Sequence, residues 1–202
     1  MGEAPAEEAR VGGSLFPEVR VFFAVEPSVE ALQAVLVNAT ALRDGPLADA
    51  PLRWANPAGW HVTTAFVGSV DVGLVPALRD VLGSLAPRPR RPELRFDELL
   101  CFPEAGEARF LVRRVGGAGV DALACLEREL AEALASVGVV SERSRPYVPH
   151  LTLARARNAA FNGDHAFVPV AAIPWQPLAV TLFESRPEAG RRRYVPLSSV
   201  AW

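Results

Sequence analysis

The chain of 202 residues contains no lysine, and all 21 of its basic residues are arginine. This absence excludes mechanisms that need a lysine side chain, such as a P-loop phosphate site, a Schiff base or a nucleotidyl-lysine intermediate. Arginine still suits phosphate recognition, because its planar guanidinium can donate two parallel hydrogen bonds. The net charge of −2 argues against a long contact with duplex nucleic acid. A small anion or the end of a strand fits this composition better.

Cysteine is also scarce, and long apolar runs are missing. Cys101 and Cys125 fit no metal-ligand or redox spacing, so we expect two buried thiols. No apolar run is as long as a membrane span. The first eight residues are acidic and lack the basic-then-apolar layout of a secretory signal. We therefore expect a cytoplasmic protein that does not bind membranes.

Two of the three histidines occur in the same short pattern, histidine, any residue, threonine. The copies are His61-Val62-Thr63 and His150-Leu151-Thr152, and each lies in a strand-like run. Residues two apart on a strand share a face, so each histidine and its threonine should point into one space. With a usual pKa near 6.5, one imidazole can donate a proton while the other accepts one, and threonine hydroxyls can donate to phosphate oxygens. The pattern predicts acid–base chemistry at a phosphate ester.

A metal site is the competing use of paired histidines. It would need further nearby ligands, and the third histidine, His165, lies in a polar, loop-like segment. We therefore expect no metal ion and no other cofactor.

Further side chains could contact a bound nucleotide. Arg155 and Arg145 each lie five residues from His150 and could neutralise a phosphate. Strict alternation would put Arg155 on the face opposite His150, so its role requires the strand to end or twist near Ala154. Tyr147 and Phe22 could stack on a base. The arginines at 191–193 are expected in a hairpin turn, either solvated or contacting RNA.

The order of predicted elements suggests two related lobes. Each motif strand is preceded by strand and helix patterns, and the histidines lie 150 − 61 = 89 positions apart. We predict two related lobes that face each other, with one motif strand in each. Residues 1–14 should be a disordered tail, and residues 15–202 a single bilobal domain. A late strand is expected over Ala166–Ala171.

These segments resemble the 2H phosphoesterase superfamily, specifically the RNA 2′,3′-cyclic phosphodiesterases, formerly called 2′-5′ RNA ligases. The resemblance spans Val19 to Leu197 and rests on five segments: Arg20–Val25, Arg53-Trp54, His61–Gly68, Cys101–Pro103 and Arg145–Arg155. It implies an α+β fold of two pseudo-symmetric lobes around a central cleft, each a mainly antiparallel sheet with helices on its outer face. It implies that His61 is the proton donor to the departing 3′ oxygen and that His150 is the proton acceptor that activates water. It also implies that Thr63, Thr152 and Arg155 hold the phosphate.

The leading hypothesis is metal-independent hydrolysis of a 2′,3′-cyclic phosphate on RNA ends or nucleotides, which leaves a 2′-phosphate, by a monomeric enzyme. One alternative keeps the histidines but changes the substrate to 2′-5′-linked oligonucleotides or another small cyclic phosphate. Another is a non-catalytic module that binds RNA ends or nucleotides. The intact pair of acid and base candidates favours an enzyme.

Overall fold

A computed structural model describes residues 17–85, 88, 90–102, 108–141, 146–157 and 168–202. Within them lie three α-helices and nine strands of one sheet. The helices are α1 (Val29–Asp44), α2 (Val75–Gly83) and α3 (Val120–Ser136). The strands are β1 (Glu18–Pro27), β2 (Leu52–Trp54), β3 (Val62–Asp71), β4 (Leu94–Phe102), β5 (Phe110–Gly116), β6 (His150–Ala156), β7 (Ile173–Trp175), β8 (Pro177–Glu188) and β9 (Arg191–Ala201).

The sheet is curled and antiparallel throughout, in the order β7-β4-β5-β6-β3-β1-β8-β9, with β2 beside β6. We call β1, β3, β8 and β9 the first lobe, and β2, β4, β5, β6 and β7 the second lobe. Among the described residues the lobes are joined through one register pair, Val62 with Leu151. Each lobe thus contributes one motif strand, and the predicted α+β fold of two lobes around a cleft is confirmed.

The lobes do not correspond to the two halves of the chain. The last two strands, β8 and β9, join the first lobe, whereas the early strand β2 joins the second. Strand β8 joins the first lobe because β1 needs a partner strand on each edge. Residues 21–25 of β1 are all buried, so neither its edges nor its faces are left to solvent. It pairs with β3 on one side and β8 on the other. The order of the strands along the chain did not predict that β8 and β9 would join the first lobe and β2 the second.

The sequence predicts helices from Ser28 to about Leu42, near 72–85 and over 120–137, and the structure differs mainly in the second, where residues 72–74 form a 3-10 turn before α2. Ser28 caps α1 by accepting a hydrogen bond from the backbone amide of Ala31 at 3.3 Å. The long helix α3 buries one stripe of leucines, spaced three or four residues apart, and is followed by Gly138 at φ +77°. The stripe comprises Leu123, Leu126, Leu130 and Leu134. These side chains belong to the continuous core under the sheet.

One arginine is fully buried beneath the sheet. The guanidinium of Arg113 on β5 donates to the carbonyls of Phe96 at 2.7 Å and Ala171 at 2.8 Å, and to Asn38 Oδ1 at 3.4 Å. Burial lowers its pKa to about 10, which leaves it charged at neutral pH. Arg113 therefore ties helix α1, strand β4 and the segment before β7 together.

Two local predictions are wrong, and several lie beyond what the structure describes. Residues 168–171 are not in a strand; β7 begins at Ile173, and the Ala171 carbonyl accepts from Arg113 instead of from a neighbouring strand. Cys101 is buried as expected, but Cys125 is exposed because it lies off the leucine stripe of α3. The predicted tail at 1–14 lies outside the described residues, and the 15–202 domain remains a prediction. No described helix is long and apolar enough to cross a membrane.

Candidate active site

The two motifs meet where the lobes join. Val62 of β3 and Leu151 of β6 are direct antiparallel partners, and both are fully buried. Because side chains alternate along a strand, the residues flanking this pair point to the opposite face. Extending the register by one residue each way sets each motif histidine opposite the threonine of the other motif. The four side chains, His61, Thr63, His150 and Thr152, line one cleft of about 1160 Å³.

Both imidazoles are oriented in the same way. Nδ1 of His61 lies 2.7 Å from the carbonyl of Gly59, and Nδ1 of His150 lies 2.8 Å from the carbonyl of Val148. A carbonyl can only accept, so each Nδ1 carries the hydrogen and donates it. Each Nε2 is then left to exchange a proton. In the first motif Nε2 already contacts Thr63 Oγ1 at 3.1 Å.

The surroundings of the two rings favour their neutral forms. The His61 ring packs against Phe22 at 4.8 Å and the edge of Tyr194 at 4.9 Å, and the His150 ring stacks on Phe102 at 4.9 Å. Burial, opposed by the hydrogen bond to the Gly59 carbonyl and aided by repulsion from a charged His150, lowers the pKa of His61 to about 4. Burial also lowers the pKa of His150. With these shifts both histidines are neutral at pH 7, and an anion between them would raise both pKa values.

A β-bulge brings Arg155 to the cleft. On β5, Leu111 pairs with Ala154 and Val112 with Thr152, so Leu153 is left without a register partner there. The extra residue shifts the alternation, and Arg155 emerges on the same side as Thr152. Its guanidinium lies 4.9 Å from the centre of the Phe110 ring. The predicted role of Arg155 required a break in strict alternation near Ala154, and the bulge provides that break.

The first lobe has a matching bulge with a different residue after it. Phe23 pairs with Ala65 and Ala24 with Thr63, which leaves Thr64 as the extra residue. Phe66 consequently lines the cleft at the position that Arg155 occupies in the second lobe. The two halves of the cleft are alike in backbone and different in charge.

A family model described as the 2′-5′ RNA ligase superfamily matches residues 24–183. This span is most of the chain and contains both histidine–threonine motifs. The chain belongs to the 2′-5′ RNA ligase superfamily. The bilobal sheet and the cleft described above are therefore those of a member of this superfamily.

The relatives agree on the fold and differ in length. A curated RNA 2′,3′-cyclic phosphodiesterase of Geobacillus stearothermophilus is 31% identical over 163 residues, which are 80% of this chain and 48% of the relative. The chain thus spans about half the length of that relative. A Thermus thermophilus crystal structure matches with a TM-score of 0.74 at 21% identity, over 90% of this chain and 97% of the other. E. coli LigT complexed with 3′-AMP matches at 0.68 and 24%, over 92% and 98%. The likenesses to these two solved structures show the fold alone.

The remaining predicted site residues of this superfamily member fall in different places. Phe22 lines the cleft but is already in contact with His61, Tyr194 and Phe183, which leaves its ring little free surface for a base. Tyr147 does not line the cleft. Its hydroxyl donates to the carbonyl of Thr63 at 3.2 Å, and burial raises its pKa. Tyr147 therefore braces the two motif strands against each other. Arg145 and His165 lie outside the described residues.

Among the cleft residues that the sequence reasoning missed, which include Arg20, Phe110 and Tyr194, the most informative is Arg53. It is the direct register partner of Arg155 across β2 and β6, it is exposed, and its Nη1 donates to the carbonyl of Gly190 at 3.2 Å. Its place in the Arg53-Trp54 segment was the available signal. The arginines at 191–193 also line the cleft, but they are the first residues of β9 and not part of the hairpin turn as expected, because Ala189 and Gly190 form that turn.

The described residues offer no cluster of three or more His, Cys, Asp or Glu side chains that could hold a metal ion. Two imidazoles alone are a weak ligand set compared with the three or four of ordinary zinc sites. The expectation of a metal-free reaction remains a prediction.

Proposed function

We propose that this protein hydrolyses 2′,3′-cyclic phosphates on RNA ends or nucleotides without a metal ion, producing a 2′-phosphate. The observation that carries the proposal is the paired arrangement across Val62 and Leu151. It puts two imidazoles, each with Nδ1 tied to a carbonyl, and two threonine hydroxyls around one space. Membership of the superfamily and the name of the Geobacillus relative support the same chemistry.

The proposed reaction needs one proton donor and one acceptor. Nε2 of His150 takes a proton from water, and the resulting hydroxide attacks phosphorus. The bond from phosphorus to the 3′ oxygen breaks, and Nε2–H of protonated His61 supplies the proton that this oxygen requires. The 2′ oxygen keeps the phosphate. Proton exchange with solvent then returns both imidazoles to their starting forms.

The charge difference between the lobes supports this assignment. Arg155 emerges on the strand that carries His150, and its positive charge favours the neutral form that a base needs. The ring of His61 packs against the aromatic side chains of Phe22 and Tyr194 instead. Phe66, at the position that matches Arg155, brings no positive charge. A bound phosphate anion would raise the pKa of both rings, and the positive charge of Arg155 would oppose this rise on the His150 side, so that substrate favours a proton on His61.

Thr63, Thr152 and Arg155 are proposed to hold the phosphate. The threonine hydroxyls flank the imidazoles on the cleft face and can donate to the non-bridging oxygens. The Arg155 guanidinium can donate two hydrogen bonds while it rests on the Phe110 ring. One chain supplies every proposed group, which fits the expected monomer.

The test is hydrolysis of a nucleoside 2′,3′-cyclic phosphate in excess chelator, with the 2′- and 3′-phosphate products separated by chromatography. We expect the 2′-phosphate, and a loss of on the order of 10²–10⁴-fold in kcat for either His61→Ala or His150→Ala. His165→Ala is the matched control and should retain activity. Full activity in both motif variants would overturn the site, and loss of activity on chelation would overturn the metal-free reaction.

The roles of the two histidines can be separated with a nucleoside 2′-(4-nitrophenyl phosphate). Its leaving group departs without protonation, so the acid becomes dispensable while the base does not. We expect His61→Ala to recover most activity on this ester and His150→Ala to recover none. The opposite result would exchange the two roles.

A further inference from the structure

The cleft is larger and more positively charged than a lone cyclic phosphate requires. Its volume of about 1160 Å³ exceeds the roughly 300–1,000 Å³ usual for small-molecule sites. Among the residues that the structure describes, six arginines and one carboxylate, Glu188, line it, although the whole chain carries a net charge of −2. The positive charge of this protein is therefore concentrated where the proposed reaction occurs, and such a cleft attracts polyanions.

Four of these arginines form one end of the cleft, and we call them the arginine rim: Arg53, Arg191, Arg192 and Arg193. The last three follow the two-residue turn between β8 and β9, where Ala189 and Gly190 have φ values of +45° and +73°. Two successive positive φ values fit a tight type I′ hairpin turn. Because Arg53 donates to the Gly190 carbonyl, the second lobe holds the turn of the first, and the rim spans both lobes.

The rim continues directly into the proposed catalytic centre. Tyr194 follows Arg193, and its ring lies 4.9 Å from that of His61. Arg191 is three residues from Tyr194, which is about 10 Å along a strand. On the other side, Arg53 lies beside Arg155, the proposed phosphate ligand.

The described carboxylates do little to neutralise the rim. Glu188 contacts Arg193 at 3.2 Å, but both side chains are exposed, and such pairs are weak. Arg53 and Arg155 are like charges in direct register, an arrangement that is unfavourable unless an anion lies between them. The rim therefore has the properties of a binding surface for successive phosphates.

We propose that the arginine rim binds the phosphates of the RNA strand immediately upstream of the reacting end. The protein then prefers an oligonucleotide terminus to a free nucleoside cyclic phosphate. This inference rests on the proposed function, since it names the substrate class of the same cleft.

The test compares a nucleoside 2′,3′-cyclic phosphate with a tetranucleotide that ends in the same group. The rim variant is Arg191→Gln/Arg192→Gln/Arg193→Gln. The control variant, Arg43→Gln/Arg79→Gln/Arg128→Gln, removes the same charge from exposed positions outside the cleft.

For the wild type and the control we expect kcat/KM on the tetranucleotide to be at least tenfold higher. Two phosphate contacts should make the slope of log kcat/KM for the tetranucleotide against log salt concentration more negative by about 1.4. This corresponds to about a sevenfold fall in that kcat/KM between 50 and 200 mM salt. The rim variant should lose both effects and keep its activity on the nucleoside. A rim variant that retains the wild-type preference and salt slope would overturn the inference.

A binding measurement separates this inference from the proposed function. Fluorescence anisotropy of a 5′-labelled tetranucleotide with a 2′-phosphate end requires no turnover. We expect the rim variant to bind at least tenfold more weakly than the wild type and the control variant. If the wild type hydrolyses neither cyclic substrate but shows this rim-dependent binding, the proposed function fails and the rim stands. If hydrolysis occurs but the rim variant binds as tightly as the wild type, the rim inference fails alone.

Discussion

The low pKa of His61 predicts a specific loss of stability in acid. The ring is packed between Phe22 and Tyr194, and burial lowers its pKa from 6.5 to about 4. In the unfolded chain the ring is solvated, and its pKa returns to about 6.5. Between these two values the unfolded state binds a proton at His61 that the folded state does not. The free energy of unfolding must therefore decrease as the pH falls below about 6.5.

The size of this effect follows from the two pKa values. Protonation of His61 should lower the free energy of unfolding by about 1 kcal/mol between pH 7.5 and pH 5.5, and by about 2–3 kcal/mol between pH 7.5 and pH 4.5. The full effect, reached below pH 4, is about 3 kcal/mol. A His61→Gln variant has no proton to bind at this position. Its free energy of unfolding should therefore fall less in acid than that of the wild type. The difference between the two proteins at each pH should equal the decrease given above for His61.

The assay is urea unfolding followed by tryptophan fluorescence at pH 7.5, 5.5 and 4.5. The wild-type and variant curves are compared at each pH, so contributions from all other groups cancel in the double difference. His165→Gln serves as the control, because the sequence puts that histidine in a polar, loop-like segment. If wild type and His61→Gln lose the same stability in acid, His61 is not held neutral by burial and the reasoning fails.

Three further predictions concern activity and stability. Because the pKa values of both motif histidines are lowered, kcat/KM should be highest below pH 6.5 and fall as the pH rises, as a pH–rate profile would reveal; an optimum above pH 7 would contradict this. Arg155→Lys should retain part of the activity that Arg155→Gln loses, since lysine keeps the charge but not the paired hydrogen bonds; equal kcat/KM for the two variants would argue against a phosphate contact. Arg113→Met should destabilise the protein by about 3 kcal/mol or more in urea, because two buried carbonyls lose their donor; a change below about 1 kcal/mol would mean that water replaces it.

Local patterns in the sequence predicted the elements and the identity of the site. The strand-like runs around His61 and His150 placed each histidine and its threonine on one face, because alternation is a property of neighbouring residues. The leucine spacing of α3 and the cap at Ser28 predicted helices for the same reason. Where a prediction failed, at residues 168–171, a distant side chain, Arg113, had taken the backbone carbonyl.

The meeting of the two motifs could only be decided by the tertiary structure. The Val62–Leu151 pair, the transfer of β8 and β9 to the first lobe, and the proximity of Arg53 to Arg155 each join residues far apart in the chain. The bulge at Leu153 is likewise set by pairing with β5 and not by its own residue type. The sequence by itself determined which groups could move protons at a phosphate ester. Only strand register, which depends on long-range pairing, decided that they share one cleft and which arginines face them.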